Sequence, residues 1–476
     1  MKTINIRLNQ KDSNRTITPT IHQGLTTHQK TKSLILQDFS DLSDLLEQSP
    51  YQGYVYGYPH KTAYRPFPAR SLSSIWATER KDALFLYIHI PFCEMRCGFC
   101  NLFTTVNHNQ DVAHRYVQTV KRQAHRIKAA LGKSQFAQFA IGGGTPTQLP
   151  TADLEQILDI AQEVMGANLT AVPGSVEVSP DTATTEKLRM LRDRGVARIS
   201  MGVQSFIDRE VQATRRRQTV VRVEAALERI RRCDFPIVNL DLIYGLPEQT
   251  LESWQHSVQR AIALSPEELY LYPLYVRPLT GLGMSDREWD DHRLACYRVG
   301  RELLLDAGYQ QVSMRMFRLS HTVQTPGPVY CCQADGMVGL GCGARSYTRS
   351  LHYSNDYAVN AKEIRGILAA YIESDDAAFD VADYGFELNR GEQQRRFILL
   401  SLLSEDGLDL REYGDRFQTN ALIDVPELLA FQTSGLVERR QMGVYLTPLG
   451  LERSDAIGPA LFSETVQGLM ETYRLK

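Results

Sequence analysis

Three cysteines in one short stretch are the residues whose types and spacing point most directly to chemistry. Cys93, Cys97 and Cys100 form a C-x₃-C-x₂-C pattern that follows an apolar run and Pro91. Thiolates are soft ligands that suit iron–sulfur clusters or zinc. Since no fourth cysteine follows closely, three thiolates would hold three irons of a four-iron cluster and leave one iron open for chemistry. The spacing therefore predicts a metal centre with an open position.

A zinc site is the alternative for the same cysteines. His89 and His108 lie nearby in the sequence, so a Cys₃His site stays open on the residues alone. Structural zinc usually needs a fourth ligand, and zinc-binding C-x₂₋₄-C pairs normally come in twos. Three unrelated core cysteines are a further interpretation, which is less favoured than the zinc site.

Further polar residues and glycines stand at the ends of apolar runs. Glu177 lies in VEVSP, Gln204 in SMGVQSF and Asp241 in NLDLIYGLP. Burying such a group without a partner costs about 1–3 kcal/mol, so the three together predict one shared polar pocket, although separately bonded core residues would also explain them. The GGGTPT run at 142–147 lets a ligand approach the backbone closely, or forms only a tight turn. Arg216 lies in a run of three arginines, which is usually a solvated helix face.

Alternating apolar and helical patterns supply the elements that must position these residues. β-Branched, buried strands separated by helices predict a parallel sheet with right-handed crossovers. The cysteines, the glycines and the polar residues then fall at the C-terminal strand ends, where such folds place their functional groups. The predicted strands are 84–90, 136–141, 175–179, 197–203, 236–243 and 268–276, and the predicted helices are 111–131, 152–166, 182–194, 208–233 and 250–264.

The string Y-x-H-I-P-F-C-x₃-C-x₂-C, with GGGTPT one strand later, resembles the radical S-adenosylmethionine (SAM) superfamily. More narrowly, it resembles the branch of oxygen-independent coproporphyrinogen III oxidases and related heme chaperones. The resemblance implies an α/β fold: a partial (β/α)₆ TIM-type barrel with an N-terminal arm and a small α+β, winged-helix-like C-terminal domain.

The resemblance also implies the cofactors. Cys93, Cys97 and Cys100 would bind a [4Fe–4S] cluster, and one SAM molecule, or two, would bind beside it. Reduction would cleave SAM to methionine and a 5′-deoxyadenosyl radical that takes a hydrogen atom from the substrate, so no catalytic side chain is predicted. The positions that match the family's SAM ligands are Tyr87, Phe99, Gly143, Gly144, Thr145, Glu177, Gln204, Arg216 and Asp241.

Departures from the family leave the substrate open. Leu102 stands where the oxidases carry a further cysteine, and Tyr275 replaces a small alanine, so it is expected to block or reshape a second SAM site. The chaperones' heme motif is replaced by Cys331 and Cys332, which could bind a metal or a thiol-reactive substrate but are more often packing residues. Arg345 is expected to contact an acidic substrate. A porphyrin-type small molecule is favoured by analogy alone.

Two other classes of function share some of these features. A heme-binding carrier would be expected to keep the heme motif, which is absent. An iron–sulfur electron carrier would not need the GGGTPT loop or the polar pocket. A radical SAM enzyme fits best, and it implies an external one-electron donor of flavodoxin or ferredoxin type.

Composition excludes several classes of partner. The 476 residues are 43% hydrophobic and 23% charged, which is ordinary globular usage. A formal net charge of −2 gives no global basic field for nucleic acid. No apolar run reaches the ~20 residues of a membrane span, and the N-terminus lacks the apolar region of a secretory signal. Eight cysteines in so long a chain favour reduced thiols in the cytoplasm.

Five segments are expected along the chain. One of these segments is a tyrosine-rich arm, which either packs across the domain surface or covers the substrate as a lid. As a lid, the arm would have His60, Lys61, Tyr64 and Arg65 facing the substrate. The segments are a polar leader with a short helix (1–49), the arm (50–83), the radical SAM partial barrel (84–280), a barrel extension with the GLGCGA loop (281–384) and the winged-helix-like domain (385–476).

Overall fold

The computed structural model describes residues 45–106, 109–275, 287–320 and 330–474. The chain divides into two units, Met1–Ser33 and Leu34–Lys476, and every described residue lies in the second. The predicted polar leader therefore lies outside the described residues, as do His108 and most of the helix expected at 33–48, of which 45–47 are helical.

Eighteen strands and sixteen α-helices are present in the described part of the chain. The strands are β1 Arg65–Ser71, β2 Leu84–Ile90, β3 Phe92–Cys93, β4 Thr105–Val106, β5 Phe136–Gly143, β6 Gly174–Val178, β7 Arg198–Gln204, β8 Ile237–Tyr244, β9 Glu268–Pro273, β10 Tyr309–Gln311, β11 Met316–Leu319, β12 Met337–Leu340, β13 Arg345–Tyr347, β14 Leu351–Ser354, β15 Val381–Glu387, β16 Leu408–Asp409, β17 Val437–Arg440 and β18 Gly443–Leu446. The helices are α1 Leu72–Trp76, α2 Gln110–Leu131, α3 Thr151–Asp159, α4 Thr185–Asp193, α5 Asp208–Ala213, α6 Val220–Arg232, α7 Leu251–Ala263, α8 Arg287–Asp306, α9 Ala361–Glu373, α10 Arg390–Leu402, α11 Leu410–Phe417, α12 Ala421–Asp424, α13 Glu427–Thr433, α14 Pro448–Glu452, α15 Ser454–Ala460 and α16 Glu464–Glu471.

The predicted parallel sheet is confirmed. β2, β5, β6, β7, β8 and β9 are neighbours in that order, and each pair is parallel. β12 adds a seventh parallel strand on the free side of β2. The whole sheet has thirteen strands in the order β1-β15-β14-β13-β12-β2-β5-β6-β7-β8-β9-β11-β10.

Side chains alternate across the parallel strands, so one face packs on the helices and the other faces the interior. In β2, Leu84, Leu86 and Ile88 belong to the main hydrophobic core. The intervening Phe85 and Tyr87 do not belong to that core and are only half-buried. Polar and aromatic side chains of the interior face are thus available at the strand ends.

The single helix predicted over 208–233 is wrong. The segment forms α5 and α6, separated by a loop that contains Arg216. Arg215 has φ +61°, in the left-handed region where a helix commonly ends. Gly98 N donates to Thr214 O at 2.7 Å, which draws this loop towards the cysteine segment.

A second hydrophobic core lies in the C-terminal part of the described chain. It combines side chains of α10, α11 and α13 with Val55, Tyr58 and Tyr64 of the arm. β16, β18 and β17 form a small antiparallel sheet there, within the segment 385–476 that was predicted to be winged-helix-like. None of the helices in the described ranges combines the length and the apolar character of a membrane span.

The arm takes part in the large sheet, which the sequence did not predict. β1 pairs antiparallel with β15. The four side chains expected to face a substrate contact other protein groups, which favours the packing interpretation. Tyr64 lies in the second core, Arg65 donates to Thr472 Oγ1 at 3.0 Å, Lys61 Nζ lies 3.6 Å from the Tyr357 ring centroid, and His60 Nδ1 lies 2.8 Å from Thr62 Oγ1.

Candidate functional site

The three cysteines lie on one short loop directly after β2. Cys93 ends β3, which pairs with β4, and the two strands close the loop that carries Cys97 and Cys100. Cys100 N donates to Cys97 O at 3.1 Å, which forms a tight turn between them. All three are free, half-buried thiols.

Each of the three sulfurs has a hydrogen-bonding group of its own. Thr145 Oγ1 lies 3.9 Å from Cys93 Sγ, Arg216 Nη1 lies 3.6 Å from Cys97 Sγ, and Thr104 Oγ1 lies 3.7 Å from Cys100 Sγ. Donors placed in this way stabilise thiolates. The donor set therefore fits a site for a metal cluster.

Burial disfavours the ionised form of two of these thiols, Cys93 and Cys97. It raises the pKa of Cys93 to about 12, and the nearby Cys100 adds to the rise. Burial also raises the pKa of Cys97, although the guanidinium of Arg216 opposes the shift. A bound metal takes thiols as thiolates even where the bare pKa is high.

The zinc alternative loses one of its two candidate histidines. His89 Nε2 lies 2.9 Å from Phe103 O, and its Nδ1 lies 3.2 Å from Tyr87 Oη, so both nitrogens have protein partners. Within the described ranges, no three His, Cys, Asp or Glu side chains converge on a single metal position. In a four-iron cluster each thiolate binds a different iron, so the sulfurs need not meet at one point. His108 lies outside the described residues.

The glycines at the end of β5 touch the cysteine loop through their backbone. Gly144 N donates to Ile90 O at 2.7 Å, and Thr145 N donates to Phe92 O at 2.7 Å. A methyl group on Gly144 would lie 2.6 Å from Phe92 O and 2.9 Å from Cys93 Sγ, so no side chain fits. Gly143 has φ +116°, which L side chains rarely adopt.

Glu177 lies beside these glycines at the end of β6. Its Oε2 accepts a hydrogen bond from Gly143 N at 3.1 Å. The side chain is accessible to water yet has protein atoms closely around it. Burial raises the pKa of Glu177 to about 7, and the Asp241 carboxylate contributes to the rise. The two predicted carboxylates therefore share one electrostatic environment.

Arg216 joins the cysteine loop to the end of β7. Its Nη2 donates to Gly202 O at 2.9 Å. A methyl group on Gly202 would lie 2.6 Å from Gln204 Nε2 and 3.5 Å from Arg216 Nη2, so both side chains meet at this glycine. Asp241, on the next strand, accepts from Asn239 Nδ2 at 2.8 Å.

Four singled-out residues lie in other surroundings. Phe99 packs against the small cluster of Ile243, Leu246 and Leu274. Tyr275 donates a hydrogen bond to Asp455 in α15, so it has a structural partner, and its effect on a second SAM site stays a prediction. Cys331 and Cys332 both donate to Gln333 Oε1, at 3.1 Å and 3.3 Å.

Sequence reasoning missed Thr104 and Asn239, which support the predicted residues. Asn239 is two positions before Asp241 on β8, and its Nδ2 also donates to Ser200 Oγ at 2.8 Å. Because residues two apart share a strand face, this spacing could have indicated it. Nothing in the sequence distinguishes Thr104 from the neighbouring Thr105.

Comparison with known proteins places this geometry in a family. Residues 87–261 match the radical SAM superfamily. The heme chaperone HemW of Haemophilus influenzae is 30% identical over 273 residues, which cover 55% of this chain and 69% of that protein. The oxygen-independent coproporphyrinogen III oxidase of Escherichia coli is 28% identical over 428 residues, which cover 84% of this chain and 91% of that protein. The solved structure of coproporphyrinogen III oxidase (HemN) from Escherichia coli has a TM-score of 0.69 at 23% identity and covers 88% of this chain and 98% of that one.

The parallel strands, the cysteine loop and the glycine edge define a radical SAM protein. The chain belongs to that superfamily, in the branch that includes the oxygen-independent coproporphyrinogen III oxidases and the HemW heme chaperones. The superfamily's cofactors, a [4Fe–4S] cluster and SAM, suit the three thiols and the bare glycine edge described above.

Proposed function

We propose that this protein is a radical SAM enzyme that acts on a small molecule, with Cys93, Cys97 and Cys100 as the cluster ligands. The observation that carries the proposal is the direct contact between the end of β5 and the cysteine loop. The amide of Gly144 bonds to Ile90 O, and no side chain fits between Gly144 and Cys93 Sγ. A bare backbone edge beside three thiols is a surface where a ligand reaches both metal and strand ends.

The remaining candidate residues divide by charge into groups suited to the parts of SAM. Arg216 suits a carboxylate, because a guanidinium can bind it through two hydrogen bonds. Glu177 and Asp241 suit an amino group or hydroxyls. Tyr87, Phe99, Gly143, Gly144, Thr145 and Gln204 are the further positions that would surround one SAM molecule or two. When bound, the cluster supplies the electron that breaks a carbon–sulfur bond of SAM, and the protein orients the reactants and excludes water.

The proposal has requirements outside the chain. An external one-electron donor must reduce the cluster, and a reducing compartment such as the cytoplasm must keep the thiols free. A porphyrin-type substrate is supported by the oxidases named among the relatives. A heme-binding carrier is the second candidate, since relatives of similar identity are named heme chaperones.

The test compares Cys97→Ala with the matched variant Cys233→Ala. Cys233 is also a half-buried free thiol, but it follows α6 and lies outside the cysteine loop. After anaerobic reconstitution, we expect wild type and Cys233→Ala to show cluster absorbance and to form 5′-deoxyadenosine from SAM and dithionite. Cys97→Ala should show neither.

Two results would contradict the proposal. Full iron content in Cys97→Ala would overturn the ligand assignment. Retention of heme by the wild type on a column, with no SAM cleavage, would favour the carrier instead.

A further inference from the structure

We infer that Thr104 tunes the metal cluster: its buried hydroxyl donates a hydrogen bond to the Cys100 thiolate and so raises the reduction potential of the cluster. The inference rests on the proposed function, because Cys100 is one of the proposed cluster ligands. It goes further by giving a part in the reduction step to a side chain that is proposed to bind neither iron nor SAM. Three observations carry it: the burial of the hydroxyl, its sulfur partner and the fixed backbone on both sides.

The Thr104 side chain is buried beside the cysteine loop. The residue is 2% exposed, and its Oγ1 lies 3.7 Å from Cys100 Sγ. Within the described ranges, this sulfur is the hydroxyl's only hydrogen-bond partner. Buried hydroxyls in proteins are almost always hydrogen-bonded, so the sulfur is the group that satisfies Thr104.

Cluster binding fixes the direction of this hydrogen bond. Between a free thiol and a hydroxyl, either atom can be the donor. A cysteine that binds a metal is a thiolate, which has no proton and can only accept. The Thr104 hydroxyl is then the donor, and a hydrogen bond to a charged acceptor is stronger than one between neutral groups.

The Thr104 hydroxyl also acts on a second cysteine of the loop. Burial raises the pKa of Cys93 to about 12, and the hydroxyls of Thr145 and Thr104 oppose the rise. Thr104 therefore favours the thiolate form at both ends of the loop, at Cys93 and at Cys100.

Two backbone hydrogen bonds hold Thr104 in this place. On one side, Phe103 O accepts from His89 Nε2 at 2.9 Å, and on the other, Thr105 N donates to Pro91 O at 2.7 Å. His89 is part of β2, and Pro91 directly follows that strand. Because both neighbours of Thr104 are tied to this strand of the parallel sheet, the hydroxyl is positioned towards the sulfur by the fold itself.

Thr104 differs from the other two groups that contact the cysteine sulfurs. Arg216 contacts Cys97 and Thr145 contacts Cys93, but both residues are also among the positions proposed to surround SAM. Their contacts with sulfur would therefore compete with that ligand. Thr104 is outside this set, so its hydrogen bond is available to the cluster whether or not SAM is bound.

The electrical effect follows from the charge of the reduced cluster. Reduction adds one electron from the external donor and no proton, so the negative charge shared by the irons and their sulfurs increases. Hydrogen bonds to the sulfurs are among the features that set cluster potentials, because a donor stabilises the more negative state. The Thr104 hydroxyl therefore favours the reduced cluster, which is the form that SAM cleavage requires.

The experiment measures the reduction potential of the cluster in wild type, Thr104→Val, Thr104→Ser and Thr105→Val. The reconstituted full chain is titrated anaerobically with dithionite and redox mediators, and the reduced cluster is quantified by its electron paramagnetic resonance signal. Valine has the shape of threonine without the hydroxyl, whereas serine keeps the hydroxyl. Thr105 is the matched control: it is also buried, and in the described chain its hydroxyl bonds to none of the three cysteine sulfurs.

We expect Thr104→Val to lower the equilibrium constant for cluster reduction by about 3- to 10-fold, the effect of one hydrogen bond. For a one-electron couple this makes the potential about 30–60 mV more negative. Thr104→Ser and Thr105→Val should keep the wild-type potential. In resonance Raman spectra of the oxidised cluster, the iron–cysteine sulfur stretching bands should shift in Thr104→Val and in neither of the other variants.

Two results would overturn the inference. One is an unchanged potential in Thr104→Val. The other is an equal shift in Thr104→Ser, which would mean that the packing of the methyl group, and not the hydroxyl, affects the cluster. Iron and sulfide content shows whether each variant holds the cluster, and if Thr104→Val does not, Thr104→Ala must show the same shift.

Formation of 5′-deoxyadenosine by the wild-type preparation separates this inference from the proposed function. The expected shift in Thr104→Val, without 5′-deoxyadenosine from the wild type, would refute the enzyme and leave the role of Thr104 standing. Formation of 5′-deoxyadenosine together with an unchanged potential in Thr104→Val would refute the role of Thr104 alone.

Discussion

Replacing Gly144 by alanine tests whether the bare backbone at the end of β5 holds the cysteine loop in place. The added methyl group would lie 2.6 Å from Phe92 O, 2.9 Å from Cys93 Sγ and 3.0 Å from Ile90 O. Two of these three atoms are backbone carbonyls that already accept hydrogen bonds, from Thr145 N and from Gly144 N itself. They cannot move aside without breaking the contact between strand and loop.

The magnitude follows from this crowding. Inserting a methyl group into a closely packed site costs about 1–3 kcal/mol. Because the loop that must move carries Cys93, we expect most of that cost to appear as weaker metal binding. At about 1.4 kcal/mol for each factor of ten, iron retention should fall on the order of 5- to 150-fold.

The assay is iron and sulfide content per chain after anaerobic reconstitution, followed by titration with an iron chelator. Gly366→Ala is the matched control, since Gly366 lies within α9 and a methyl group there would meet nothing within 4 Å. In a helix interior this change should stabilise the fold by up to about 1 kcal/mol. Thermal unfolding of both variants checks that each is folded.

Wild-type resistance of Gly144→Ala to the chelator would refute the reasoning. It would mean that the β5 edge and the cysteine loop are not mechanically connected, despite the short contacts between them.

Two further predictions concern Glu177 and the ion pair of Asp455. Since burial raises the pKa of Glu177 from 4.5 to about 7, the folded state binds the proton more tightly, and stability falls as the pH rises through this range. Glu177→Gln should therefore unfold like wild type at pH 5 but be more stable than wild type at pH 8. We expect a difference in the free energy of unfolding of only about 1 kcal/mol, because water screens this accessible carboxylate. An equal difference between variant and wild type at both pH values would contradict this. Asp455→Asn should lower the free energy of unfolding by about 3–5 kcal/mol, since it leaves the buried Arg315 without its anion. Tyr275→Phe, which removes a hydrogen bond to the same carboxylate, should cost only about 1 kcal/mol, and similar thermal midpoints for the two variants would contradict the assignment.

The parallel strands could be predicted because each is a continuous apolar run between turn residues. Strands buried on both faces keep such runs, and the helices between them keep their own period. Residues 136–143 and 237–244 are clear examples, and both form strands. The residues at their ends could be predicted for the same reason, since a parallel sheet brings those ends to one edge.

Elements that depend on distant partners could not be predicted in this way. β12 has only four residues, two of them in a glycine-rich run, and it becomes a strand because it pairs with β2 about 250 residues earlier. β1 contains two prolines and pairs with β15, more than 300 residues later. The break near Arg215 depends on one backbone angle and on a hydrogen bond from Gly98, and neither leaves a sequence pattern.

The pairing of the large sheet has a consequence for dividing the gene into fragments. The span that matches the superfamily ends at residue 261, but β8 needs β9 on one side and β2 needs β12 on the other. A fragment cut at those limits would leave two unpaired strand edges, which are templates for aggregation. We therefore expect soluble expression only from pieces that run from the arm to the end of β15 or beyond.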